Sequence, residues 1–248
     1  MARLGRTLPV ASTLTLSDGA VSPITFDSAG AGFAGGTGAA NPSFSHTIAG
    51  NALLVYVEVD VYNSAPTVNV SCGGLSMTPI AYQVGPYYLF IASYYFWGYG
   101  FVFGLSNPPK GTQTISVSVS NCNINANGVY VGSVSYNNVG RFGIPVILQG
   151  QNTAGTISTT VSGGQLISQA WMGAALSDTA VTGYLTKTER FACSTLYIGD
   201  AVPPATFATT SSGSLGYCSI AVPLIQTPYL KEPSQVPVTI PMSRGRLF

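Results

Sequence analysis

Strict two-residue alternation limits this chain more than any other feature. Between residues 52 and 62, Leu53, Val55, Val57, Val59 and Val61 fall on one side of an extended strand, and Leu54, Tyr56, Glu58, Asp60 and Tyr62 on the other. Successive side chains of a strand point to opposite faces, so this spacing suits a sheet and no helix. The valine face belongs to a core. The opposite face, with its two carboxylates, is expected to meet solvent or another subunit. The same period returns at Ile115, Val117 and Val119 against Ser116, Ser118 and Ser120, and its phase then reverses to Cys122, Ile124 and Ala126. Such a reversal requires a bulge or a strand end near Ser120.

Turn chemistry divides the rest of the chain. Asn127-Gly128 predicts a tight hairpin, because both residues tolerate the positive φ of a type I′ turn. Asn107-Pro108-Pro109-Lys110-Gly111 predicts a break, because its prolines cannot donate to a strand ladder. Further strands are expected at 67–72, 89–96, 129–136, 156–161, 165–172, 185–193, 195–198 and 217–224. Short strands at this turn spacing predict an all-β fold: an antiparallel β-sandwich, of jelly-roll or immunoglobulin-like type, with extended N- and C-terminal arms. The expected segments are an N-terminal arm over 1–20, the sandwich over 21–227 and a proline-rich C-terminal arm over 228–248, which holds Pro228, Pro233, Pro237 and Pro241. Fixed φ lowers the entropy lost when such an arm docks along a neighbour. Arg3, Arg6, Arg244, Arg246 and Phe248 are the expected partner-binding residues of these arms.

Charge is scarce: 7% of residues are charged, against roughly 25% in an average soluble domain. With 46% hydrophobic residues, neither a disordered chain nor a coiled coil fits. A net charge of +1 provides no field for steering toward a phosphate backbone, so nucleic acid is not an expected partner. A surface with so few charges is weakly protected from association, which points to faces covered by partners. The apolar run Leu8-Pro9-Val10-Ala11 is too short for a secretory signal. The aromatic window 87–103 is broken by Ser93, Gly98 and Gly100, so no membrane insertion is expected.

Candidate chemical sites are few, and each has a plainer reading. Gly30, Gly32 and Gly35 fit a dinucleotide-binding spacing, but Gly36-Thr37-Gly38-Ala39-Ala40-Asn41-Pro42 follows where a helix must begin, so a glycine loop is favoured. Glu58 and Asp60 share a strand face, as a cation site or a glycosidase carboxylate pair would require, yet no third ligand accompanies them. His46 is the single histidine and no GxSxG elbow is present, which favours a hydrogen-bonded structural residue over a catalytic base. Cys72, Cys122, Cys193 and Cys218 lack CxxC spacing and are expected as free, buried thiols. No enzyme, metal or cofactor is therefore expected. The aromatic residues Tyr94, Tyr95, Trp97 and Tyr99 are candidate glycan or subunit contacts, because alternation buries only half of such a segment.

Several stretches together resemble the all-β minor tail proteins of long-tailed bacteriophages of actinobacteria, of the mycobacteriophage type. The resemblance is carried by Gly5-Arg6-Thr7-Leu8-Pro9-Val10, Ala29-Gly30-Ala31-Gly32-Phe33-Ala34, Phe44-Ser45-His46-Thr47 and Cys72-Gly73-Gly74-Leu75-Ser76-Met77-Thr78. It continues through Gly111-Thr112-Gln113-Thr114-Ile115-Ser116-Val117, Gly132-Ser133-Val134-Ser135-Tyr136-Asn137-Asn138-Val139-Gly140 and the end Ser243-Arg244-Gly245-Arg246-Leu247-Phe248. The segment 94–103 departs from that family's plainer strand and turn. The resemblance implies a structural virion component, assembled in the host cytoplasm at the tail tip through its arms. Other virion proteins and copies of itself are the implied partners, with a host-envelope glycan as a possible weak contact summed over many copies. A capsid decoration protein and a glycan-binding host-adhesion module are the alternatives.

Overall fold

The computed structural model describes residues 22–35, 41–62, 64–91, 94–151, 154–173, 176–177, 188–193, 195–212 and 216–226. Residues 23–227 form one compact unit. The two expected arms, with Arg3, Arg6, Arg244, Arg246 and Phe248, lie outside the described residues. No helix occurs among the described residues.

The first half of the chain forms β1 (Thr25–Ala29), β2 (Phe33–Ala34), β3 (Ser43–Ile48), β4 (Ala52–Val61), β5 (Thr67–Cys72), β6 (Leu75–Ser76), β7 (Thr78–Ile91), β8 (Tyr94–Ser106), β9 (Gly111–Ser120) and β10 (Ile124–Asn137). The second half forms β11 (Arg141–Phe142), β12 (Val146–Gly150), β13 (Ala154–Val161), β14 (Leu166–Met172), β15 (Leu176–Ser177), β16 (Thr188–Cys193), β17 (Leu196–Ala201), β18 (Ala205–Ser212) and β19 (Tyr217–Ile225). They assemble into four sheets, ordered β3-β9-β5-β6, β1-β10-β4-β8-β7, β11-β19-β14-β17-β16 and β13-β18-β15, with β2 added beside β10 and β12 beside β19. The fold is all-β, antiparallel and sandwich-like.

The sheets stack in that order as four layers, and alternation explains how. Odd residues of β4, Leu53 to Val61, pack on Val68, Val70, Ile115, Val117 and Val119 of the first outer sheet. Its even residues Ala52, Leu54 and Tyr56 pack on Ala170, Met172, Ile198, Ile220 and Val222 of the second inner sheet. That sheet turns Ile167, Trp171, Tyr217 and Ala221 the other way, onto Ile157, Val161, Ala205 and Phe207 of the second outer sheet. The central strands of both inner sheets are thus covered on both faces, and β4 and β14 are buried throughout. The even face of β4, expected at a surface, lies instead between two sheets. A second sheet of matching apolar pattern was available to cover it, and burying apolar area at about 25 cal/mol per Å² favours the stack over an exposed Leu54 and Tyr56.

Two local expectations are corrected. Asn127-Gly128 makes no hairpin: β10 runs through it, and the β4 register slips between Ile124↔Val61 and Val129↔Val59. Gly128 has φ 78°, the conformation a bulge needs as much as a turn does. The segment 89–96 is not one strand. It spans the end of β7 and the start of β8, which pair as Leu89↔Phe96, Phe90↔Tyr95 and Ile91↔Tyr94. The break at 107–111 does join β8 to β9 and carries the chain from an inner to an outer sheet, with Asn107 and Gly111 both at positive φ. β9 ends at Ser120, where the phase reverses, and Asn121 takes a positive φ of 62°.

Candidate functional site

The largest concentration of buried polar chemistry lies on the even face of β4, in the seam between the two inner sheets. Glu58 and Asp60 are both 0% exposed. The β8 residues opposite them are Gly100 and Gly98. A side chain at Gly98 would strike the ring of Tyr87, so the missing Cβ admits that ring over the sheet. Tyr87 then donates its hydroxyl hydrogen to Glu58 Oε1 at 2.9 Å, and Thr195, in the turn between β16 and β17, donates to Oε2 at 2.5 Å. Asp60 has no hydrogen-bond partner at either oxygen.

No described side chain supplies a cation to this pair. Burial pushes the Glu58 carboxyl up to about 7, against the lowering effect of its two hydroxyl donors. Burial, with the neighbouring Glu58 charge, holds the Asp60 carboxyl well above its ordinary range. Both groups therefore favour the neutral, protonated state. Burial likewise raises the Cys218 thiol, which lies beneath Gly100, and the Tyr87 phenol. These are not the solvated carboxylates expected on an outward face. No set of three or more His, Cys, Asp or Glu side chains arranged for a metal occurs among the described residues.

A second cluster ties the first inner sheet to the first outer sheet. His46 on β3 is 1% exposed. Its Nδ1 lies 2.8 Å from Ser133 Oγ and its Nε2 2.9 Å from Ser28 Oγ. Ser28 Oγ donates to Thr47 O at 2.6 Å, so the consistent assignment has Nε2–H donating to Ser28 and Ser133 donating to Nδ1. Asp27 Oδ2 accepts from the Ala49 and Gly50 amides at 2.9 and 2.7 Å and from Ser135 Oγ at 2.7 Å. Burial lowers the His46 imidazole to about 4, and the hydrogen bonds to Asp27 hold its carboxyl below the ordinary value despite partial burial. A serine, a histidine and an acid meet here, but Gly30 is packed directly on Ser133 Oγ, leaving no room for a substrate. The histidine is a buried, hydrogen-bonded clasp.

The aromatic candidates separate. Tyr99 is 4% exposed and belongs to the core between the first outer and first inner sheets, so it offers no surface contact. Its neighbours Phe101 and Phe103 share that face, which alternation dictates. Trp97 is half-buried against the same core. Tyr94 and Tyr95 stand at the start of β8, and their side chains lie outside the described ones. Cys72 and Cys218 are buried free thiols and Cys122 is a half-buried one, while the Cys193 side chain lies outside the described ones.

The outer faces are hydroxyl-rich. Ser43, Ser116, Ser71 and Ser76 align in one row across the four strands of the first outer sheet, beside a depression of about 380 Å³ that also touches Asn41, Asn69 and Ser118. On the second outer sheet Thr160 and Thr206 face each other, their hydroxyls 2.8 Å apart. Among residues whose side chains are described, the exposed charges are Lys110 and Arg141. Glu58, Asp60 and Asp200 are buried, and Asp27 is half-buried.

The seam was missed in the sequence because alternation reports two faces without saying whether the second is wet. Gly98 and Gly100, spaced to lie opposite Asp60 and Glu58, are the signal that a close approach occurs there. No protein-family model matches the chain, and no curated protein matches it.

Proposed function

We infer that this chain is a structural component of a bacteriophage virion, a minor tail protein assembled at the tail tip through its terminal arms. The observation that carries the reading is the scarcity of exposed charge among the described side chains. The described body presents neutral hydroxyl faces with Lys110 and Arg141 as its exposed charges, while three of its carboxyls are turned inward. A freely diffusing protein of this kind has little electrostatic repulsion to keep copies apart, whereas a subunit surrounded by neighbours needs none. The sequence resemblance supports the same role, and the arginine-tipped ends are suited to reach adjacent subunits.

The test is incorporation. A chain lacking residues 229–248 is expected to fold, with the thermal transition of the full chain, and to be missing from purified particles; normal incorporation would reject the reading. Locating the labelled chain in intact particles separates a tail-tip component from a capsid decoration protein. A second reading, weak contact with a neutral host glycan, is favoured by one observation: the serine row on the first outer sheet beside its depression. It predicts polysaccharide retention that Ser71→Ala with Ser116→Ala removes while incorporation persists.

A further inference from the structure

We propose that Glu58 and Asp60 form a proton-operated latch between the two halves of the stack: with both carboxyls neutral the inner sheets stay closed on each other, and loss of their protons parts this seam while leaving the seams on either side packed.

The geometry is specific to one of three layers of contact. Glu58 is the ionisable residue that hydrogen-bonds across this seam to the second half, through Thr195, beside the neutral Tyr56–Ser168 bond. Asp60 is buried beside it with neither oxygen partnered. A carboxyl in that setting is tolerable as a neutral acid and costly as an anion. The seams flanking it are built differently: one from valine, isoleucine and phenylalanine with the neutral His46 clasp, the other from Trp171, Phe207 and Tyr217.

No group facing the pair from the packed elements supplies a described counter-charge. β4 itself adds Tyr56, whose hydroxyl donates to Ser168. β7 adds Tyr87, β10 adds Tyr130 in register with Glu58, β17 adds the buried acid Asp200, and β19 adds Cys218. β16 contributes Glu189 and Arg190, whose side chains lie outside the described ones. Ionisation therefore adds negative charge to a seam that already holds an acid and neutral phenols. Burial displaces both carboxyls upward, Glu58 to about 7 and Asp60 well above its ordinary range.

The seam carries its own reporter. Cys218 is 0% exposed beneath Gly100 inside the latch seam, and Cys72 is 0% exposed in the neighbouring valine core. The full-length protein is treated with iodoacetamide between pH 6 and pH 9.5, and labelling of each cysteine is quantified by peptide mapping and divided by the rate of a free-cysteine peptide at the same pH. Opening linked to release of one proton raises the normalised Cys218 rate about tenfold per pH unit until that carboxyl ionises in the closed seam, about pH 7 for Glu58, and about a hundredfold per unit where both leave together. The expected result is this rise at Cys218 with Cys72 still protected, and a flat Cys218 profile in Glu58→Gln with Asp60→Asn. Cys72 and Cys218 becoming reactive together would overturn the latch, as global unfolding. A flat wild-type Cys218 profile, or an unchanged rise in the double variant, would overturn it too. Should the double variant fail to fold, the wild-type ratio of Cys218 to Cys72 decides the matter alone.

Discussion

The Tyr56 hydroxyl of β4 donates to Ser168 Oγ of β14 at 2.9 Å, a direct hydrogen bond between the two inner sheets of the stack. Both residues are fully buried, so removing one partner leaves the other without water to replace it. Tyr56→Phe keeps the ring packing and strands the serine hydroxyl. A loss of about 1–2 kcal/mol in chemical denaturation is expected, and Tyr56→Phe combined with Ser168→Ala should recover part of it. No recovery in the double variant would mean that the bond does not couple the sheets.

Opposite pH responses are built into adjacent seams. His46 is held neutral below its ordinary value, at about 4, so the stability it confers is complete above pH 6.5 and is lost as pH falls toward 4, where only the unfolded chain has taken up the proton. Asp27, also lowered, acts in the same direction at still lower pH. Glu58 and Asp60 are raised, so their contribution is complete below the ordinary carboxylate range and is lost as pH rises, for Glu58 through about 7. The two windows overlap between about pH 4.5 and 6.5, where the opposed slopes offset each other in the wild type. Thermal melts from pH 4 to pH 9 should show Glu58→Gln with Asp60→Asn gaining stability from about pH 4 to 6.5 and then levelling, and His46→Asn losing stability steadily from about pH 4.5 through 7. The lowering of His46 from 6.5 to about 4 corresponds to a loss on the order of 3 kcal/mol by pH 4, with Asp27 adding to it in the same direction.

Gly100→Ala tests how closely the inner sheets approach. A Cβ at that position would stand 2.6 Å from Cys218 Sγ and 2.9 Å from Met172 Sδ. Both sulfurs are buried and cannot swing into solvent, so the seam must widen or the side chains must leave their rotamers. Overpacking of this kind costs about 1–3 kcal/mol. Gly155→Ala is the contrasting control, since no atom lies within reach of its added carbon and only its positive φ of 96° opposes the change. Equal melting temperatures for Gly100→Ala and the wild type would show that the seam is looser than these contacts require.

Much of the architecture could be read from residue order, and the reason for the remainder is physical. The valine face of β4, the span of β5 and the bulk of β14 and β19 follow from period and β-branched content, because burial on at least one face forces that pattern. What alternation cannot supply is the identity of the layer that covers the second face. Leu54, Tyr56, Glu58 and Asp60 look amphipathic in isolation, and only the pairing of β14 with β19 creates the apolar wall opposite them. Asn127-Gly128 misleads for a related reason: positive φ is a property of the residue, while turn or bulge is decided by the strand β10 meets on β4. The His46 clasp draws on β1, β3 and β10, segments separated by up to 108 positions, which no local spacing reveals.

Exposed hydroxyl faces provide the last test, because they separate a covered subunit from one that merely lacks charge. Ser116 lies at the centre of the serine row on one outer sheet, and Thr160 faces Thr206 on the other. Both side chains are exposed, and changes at exposed strand positions away from caps and networks usually alter stability by less than about 0.5 kcal/mol. Ser116→Glu and Thr160→Glu should therefore melt like the wild type. If the chain is a virion subunit as proposed and neighbours cover these faces, each carboxylate must lose its water without a partner, at a cost of several kcal/mol, enough to exclude the variant from assembly. Competition between variant and wild-type chains for incorporation, read by quantitative mass spectrometry of purified particles, should then favour the wild type at least tenfold for whichever face is covered. Equal incorporation of both variants would mean that the outer sheets face solvent in the particle and that attachment resides in the terminal arms alone.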